Sequence, residues 1–110
     1  MAGAGTMSLL ELRPEVAAFA QLMEAKLREN DCKGGWKDEQ TSYLSRRCGN
    51  ELEELRAAIQ RQRKEWMTGF PPVSAEKREA LRVDVGREAA DVANFAMMIA
   101  DVCGALRGTP

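Results

Sequence analysis

Two pairs of carboxylates carry the chemistry this chain could do: Glu51 with Glu54, and Glu88 with Asp91. Residues three apart on a helix share one face, about one turn along. If the two helices pack together, four carboxylates meet, and such a cluster repels itself unless a hard divalent cation sits between them. All-oxygen ligation favours magnesium, with manganese as its substitute, over zinc. Spacing alone is weak among 17 acidic residues, and Glu76 with Glu79 repeats it on what reads as a solvated face. Context separates the pairs. Glu88 and Asp91 lie beside or within the richest apolar run of the chain, Ala89 to Ala100, where an acid is costly to bury without a partner. Two readings stay open at this level: a metal site, or salt bridging with nearby arginines such as Arg87.

The elements that must position these side chains follow from periodicity. Pro14 is a good first helical residue, and Val16, Phe19, Ala20, Met23 and Leu27 recur at three- and four-residue steps as a buried stripe should, ending near Asn30. Lys33 to Asp38, with paired glycines at 34 and 35, reads as a loop. A second helix opens near Asp38 or Thr41, carries the stripe Leu44, Cys48, Leu52, Leu55 and Ile59, and reaches Trp66 or Met67. The sequence Gly69-Phe70-Pro71-Pro72 is a break, after which Ser74 caps a third helix running to about Leu106. Gly86 inside it marks a possible bend or division into two. The expectation is an all-α bundle of three to four helices over residues 13–107, with a flexible leader at 1–12 and a short tail at 108–110.

Composition narrows the function classes. The absence of histidine excludes Ser-His-Asp and Cys-His catalysis, zinc hydrolases with histidine ligands and Glu-x-x-His di-iron bundles. Three cysteines without a Cys-x-x-Cys spacing argue against a zinc site or a disulfide framework and fit a reducing cytoplasm. Cys48 and Cys103 read as core thiols. A formal charge of -1 gives no case for binding a nucleic acid polymer. No apolar stretch reaches the roughly eighteen residues of a membrane span, and no signal peptide is expected. A chain of 110 residues buries a modest core, so an oligomer, a homodimer or homotetramer, is expected.

The segment Glu51-Leu52-Glu53-Glu54-Leu55, followed by Glu88-Ala89-Ala90-Asp91-Val92-Ala93-Asn94, resembles the split metal motif of the MazG-like all-α nucleoside triphosphate pyrophosphohydrolases, E-E-x-x-E followed by E-x-x-D. Lys33-Gly34-Gly35-Trp36-Lys37 is similar to a glycine-tryptophan stretch that precedes the metal helices in the phage-type dATP/dGTP subset. The likeness runs from about Arg13 to Cys103. Two departures stand out: Asn50 takes the place of the first glutamate, and the gap from Glu54 to Glu88 is longer than usual.

That resemblance implies a magnesium-dependent enzyme cutting a (d)NTP to its monophosphate and pyrophosphate. Glu51, Glu54, Glu88 and Asp91 would hold one or more magnesium ions, which bridge triphosphate oxygens and activate a water for attack on the α-phosphorus. Glu54 or Glu53 is the candidate for taking the proton. Asn94 would help hold the nucleoside, against a plain hydrogen bond to a neighbouring turn. Trp36 is either a stacking platform for a base or a lid on a small core. Lys33 and Lys37 are candidate phosphate contacts or solvated lysines. Asp101 belongs to the outer part of the site or to a helix-helix salt bridge. Arg56 to Lys64 is an exposed face or a phosphate-facing rim contributed across a dimer. The rival functions are a degenerate nucleotide binder and a non-catalytic helical interaction module.

Overall fold

Residues 8–68 and 72–107 are described by the structure, a computed structural model. They form three long helices, α1 (Pro14–Glu29), α2 (Thr41–Thr68) and α3 (Ala75–Val102), with short 3-10 turns at Leu9–Glu11 and Asp31–Lys33. No strand occurs among the described residues. Among them, no helix is long and apolar enough to cross a membrane. Residues 1–7 of the leader expected at 1–12, the tail at 108–110 and most of the break at 69–72 lie outside the described residues, and the rest of that leader holds the turn at Leu9–Glu11.

The helix ends follow local chemistry. Pro14 occupies the first turn of α1, where its missing N–H is no loss. Asn30 closes that helix by donating its side-chain amide to the Lys26 carbonyl at 3.1 Å. Ser74 caps α3, its hydroxyl oxygen accepting from the Lys77 amide at 3.1 Å. Lys33 proves to belong to the 3-10 turn that follows α1, and the loop begins only at Gly34.

α2 and α3 are 28 residues each, about 42 Å of helix, and pair as an antiparallel hairpin. On α2, besides Tyr43 and Arg47 near its start, the covered positions are Leu44, Cys48, Glu51, Leu55, Ala58, Gln62 and Glu65, in alternating four- and three-residue steps. That is the seam of two helices packed lengthwise, with a mean repeat of 3.5. The expected stripe drifted off this seam: Leu52 and Ile59 are 37% and 38% exposed, while Glu51 and Ala58 take the inward places. Arg61 to Asp84 at 2.7 Å ties the hairpin nearer its turn, and the Cys48 thiol approaches the Val92 carbonyl at 3.7 Å further along.

α3 is the central element, covered on one side by α2 and on the other by the shorter α1. α1 runs antiparallel to it, as the pairs Met23 with Asn94, Lys26 with Asp91 and Glu29 with Arg87 show. The α1 stripe is correct in phase but shallow: none of its residues is fully buried, and Val16 is exposed. One short helix lying on one other cannot enclose a side chain from all directions. Cys103, expected in the core, is exposed and ends α3. α3 passes through Gly86 without interruption.

Two substitutions test this packing in opposite directions. A Cβ at residue 86 would meet Leu22 Cδ2 at 3.5 Å, an ordinary contact, so Gly86→Ala is expected to stabilise the fold by about 0.5–1 kcal/mol through helix propensity. Leu44→Ala, at a fully buried seam position, is expected to cost about 2–5 kcal/mol. Urea denaturation should move the midpoint up for the first and down for the second at unchanged slope.

Candidate metal centre

Glu51 reaches this site because it replaces an apolar residue in the α2 seam, and Glu88 and Asp91 because they sit one turn apart on the face of α3 opposite it. One carboxylate oxygen from each of Glu51, Glu88 and Asp91 can be chosen so that all lie within 4.8 Å of one another, and all three side chains are half-buried. Glu54 stands outside this trio and is exposed, one turn further along α2. It remains near enough for its charge to act on Glu88. Glu53 and Asn50 are also exposed.

Cations hold the trio from its edges. Arg47 contacts Glu51 at 3.2 Å, and its guanidinium lies over the Phe95 ring at 5.2 Å from the centroid. Tyr43 and Glu51 together raise the Arg47 pKa above its ordinary value. Lys26, with a side chain only 12% exposed, lies 3.5 Å from Asp91 and 3.7 Å from Glu29. Arg87, the expected alternative partner of the acids, instead grips both oxygens of Glu29, at 2.9 and 2.8 Å.

Glu88 alone of the three has neither hydrogen bond nor ion pair among the described residues. Burial, and after it the negative charges of Asp91, Asp84, Glu51 and Glu54, push its carboxyl above the usual glutamate value. The donor set therefore fits a hard divalent cation: oxygen atoms alone, close enough to converge, with one carboxylate that no cation contacts among the described residues.

Glu51 and Asp91 of the trio line a cleft of about 540 Å³, bounded by the end of α1, the segment after it, the start of α2 and the middle of α3; Glu88 does not line it. Glu51, Asp91, Lys26 and Arg47 line one part of it, and Trp36, Tyr43 and Phe95 supply aromatic walls. Its volume falls in the range of small-molecule sites, roughly 300–1,000 Å³. Asn94 lines the cleft and is only 4% exposed. Its Nδ2 donates to the Met23 carbonyl at 3.0 Å, while Oδ1 is buried without a partner. An unsatisfied buried acceptor costs about 1–3 kcal/mol, and a donor brought by a ligand or a water removes that cost.

Of the remaining candidates, Lys33 lines the cleft, whereas Lys37 does not. The Lys37 ammonium is held by Asp101 at 2.6 Å, and the Trp36 indole N–H donates to the same carboxylate oxygen at 2.9 Å. Lys26 and Arg47 escaped sequence reasoning, because each is an ordinary basic residue on an amphipathic helix until the partner helix is in place. No protein-family model, curated protein or solved structure matches the chain.

The raised Glu88 pKa has a definite sign. A carboxyl that binds its proton more tightly in the fold contributes stability below its unfolded pKa and loses it as pH rises through the folded value. Charged Glu88 thus opposes the metal-free fold at neutral pH. Glu88→Gln is expected to raise the Tm of EDTA-treated protein at about pH 7, with the gain vanishing towards about pH 4. Magnesium is expected to raise the Tm of the parent, and the same variant to lose most of that increase, a comparison scanning calorimetry makes directly.

Proposed function

We propose that this chain is a magnesium-dependent nucleoside triphosphate pyrophosphohydrolase of the MazG-like kind, converting a (d)NTP to (d)NMP and pyrophosphate. The observation that carries the reading is the convergence of Glu51, Glu88 and Asp91, of which Glu51 and Asp91 line a cleft with aromatic walls and with Asn94, whose buried Oδ1 has no partner. The residue types suit a ligand with a polyanionic end and a ring at the other.

In this reading Glu51, Glu88 and Asp91 hold magnesium, with manganese able to substitute, and Glu54 adds its charge from the edge. Magnesium there supplies neutralisation of the triphosphate and activation of water. Lys26 and Arg47 are placed to turn from their carboxylates towards phosphate oxygens, and Lys33 adds a third cation on the cleft wall. Trp36 stacks on the base, and Asn94 Oδ1 accepts a hydrogen bond from the nucleoside. Proton removal falls to Glu54 or Glu53, the acids nearest the trio on α2 that no described ion pair occupies. Phosphoryl chemistry depends mainly on positioning and charge, so a site without histidine suffices. Asn50 lies outside the trio, so its substitution for glutamate leaves these three carboxylates in place.

A homodimer or homotetramer belongs to the same proposal, in a reducing cytoplasm. Leu52, Ile59 and Trp66 recur at seven-residue steps along one exposed line of α2, beside the seam that α3 covers. A second copy would bury that line and enlarge a core that a chain this short keeps small. Light scattering should give a mass of two or four chains for the parent and of one for Ile59→Glu. A monomeric parent at working concentration would count against self-association.

The reaction is tested by pyrophosphate release from eight NTPs and dNTPs, with magnesium and with EDTA. Metal-dependent release of pyrophosphate and monophosphate is expected, falling at least about a hundredfold in Glu88→Ala. No release from any nucleotide by folded protein would sink the enzymatic reading and leave a nucleotide binder or a helical interaction module.

A further inference from the structure

The wall of the cleft that carries Trp36 is not built on a helix. It lies in the segment between the 3-10 turn at Asp31–Lys33 and the start of α2, which enters at Gly34 with φ +91, a backbone region that favours glycine. Nothing lies within 4 Å of where a Cβ would stand at either Gly34 or Gly35, so neither glycine is wedged against the bundle. A turn from the Trp36 carbonyl to the Glu39 amide at 3.0 Å shapes it locally but does not fasten it to the bundle.

The fastening comes from far along the chain. Asp101 Oδ2 accepts both the Trp36 indole N–H at 2.9 Å and the Lys37 ammonium at 2.6 Å, across 65 and 64 residues. Among the described residues these are the only side-chain hydrogen bonds from residues 33–40 to the helices. Lys37 and then Trp36 hold the Asp101 carboxyl below the usual aspartate value, with the Arg107 charge adding to them. Asp101 itself does not line the cleft and lies ten residues, about 15 Å of helix, beyond Asp91.

We propose that Asp101 is a positioning residue that holds the Trp36 indole against the cleft, setting affinity for the ring of a bound ligand without acting on the carboxylate trio. The statement about affinity rests on the nucleotide reading; the fastening of Trp36 does not. An indole fixed through its N–H keeps one orientation, so a ring meets a preformed face and does not have to order a loop on binding. Loss of the carboxylate frees Trp36 and Lys37 together, whereas loss of the ammonium alone leaves the indole bond in place.

The experiment uses the Trp66→Phe background, in which Trp36 is the remaining tryptophan. Asp101→Ala should redden Trp36 emission and increase its acrylamide quenching. KM for the best nucleotide should rise about tenfold with kcat within about twofold, as expected when a stacking surface is lost but the metal end is kept. Lys37→Met should fall between parent and Asp101→Ala, and Asp101→Asn, which still offers an oxygen to the indole, should restore quenching close to the parent. Unchanged quenching in Asp101→Ala would overturn the positioning role. A fall in kcat at constant KM would overturn the affinity role. A parent inactive on every nucleotide would remove the pyrophosphohydrolase reading, while the quenching series would still decide whether Asp101 holds Trp36.

Discussion

The narrow seam between α2 and α3 constrains everything else in this molecule. Two helices of 28 residues lie lengthwise, and a line of inward positions a single side chain wide must join them. Such a line is most stable when wholly apolar, because each polar intrusion gives up burial and raises a desolvation cost. Here Glu51 takes an inward place between Cys48 and Leu55, with Glu88 and Asp91 across from it. The seam thus changes character along its length, apolar at Leu44, acidic at Glu51, apolar again from Leu55 to Ala58 and polar at Gln62 and Glu65. A helical pair stabilised by apolar stretches on either side can carry a repulsive position between them, and that is where a cation would be drawn.

The charges around that middle are arranged in a graded way. Arg47 and Lys26 each neutralise one acid from the rim, and Arg61 takes Asp84 one turn before Glu88. Arg87, which could have reached inward, is committed to Glu29 on α1. Glu88 is left with four like charges and no cation in contact. Satisfying Glu88 with a fourth basic side chain would have given an ordinary interhelical salt-bridge network. Its omission leaves a concentration of negative charge at the edge of a cleft whose walls carry positive charge, which suits a ligand that arrives with a divalent ion.

Helical class, both ends of α1 and the start of α3 were legible in the sequence, because Pro14, Asn30 and Ser74 are punctuation with local physical causes, whereas α3, expected to reach about Leu106, ends at Val102. Glu88 and Asp91 were legible too, since they stand out against an apolar run, but Glu54, paired with Glu51 by spacing, stands outside the trio. The depth of each stripe was not. Following the apolar residues from Leu44 through Cys48 to Leu52 and Ile59 puts the wrong residues inward, because those steps run longer than the seam's repeat, which selects Glu51 and Ala58. Single-chain periodicity also cannot tell a helix covered on two sides, as α3 is, from one covered on one, as α1 is. The Asp101 fastening lay beyond reach for a different reason. It joins residues 64 and 65 apart, a pairing that no local pattern encodes.

The two ends of the cleft are supported by different physics. The carboxylates sit on mid-helix positions whose backbones are fixed by continuous hydrogen bonding, so their separation changes only if the helices themselves slide. Trp36 sits on a glycine-entered segment tied by one carboxylate oxygen, so its position depends on two hydrogen bonds. Between them Asn94 is anchored to α1 through Nδ2 and keeps Oδ1 unpartnered. Chemistry that tolerates little displacement belongs at the rigid end, and recognition that must admit and release a ring belongs at the tied segment. On the proposed reading, substitutions on the loop side alter which ligand is held more readily than what is done to it, because no described side-chain hydrogen bond or ion pair links the loop to the trio.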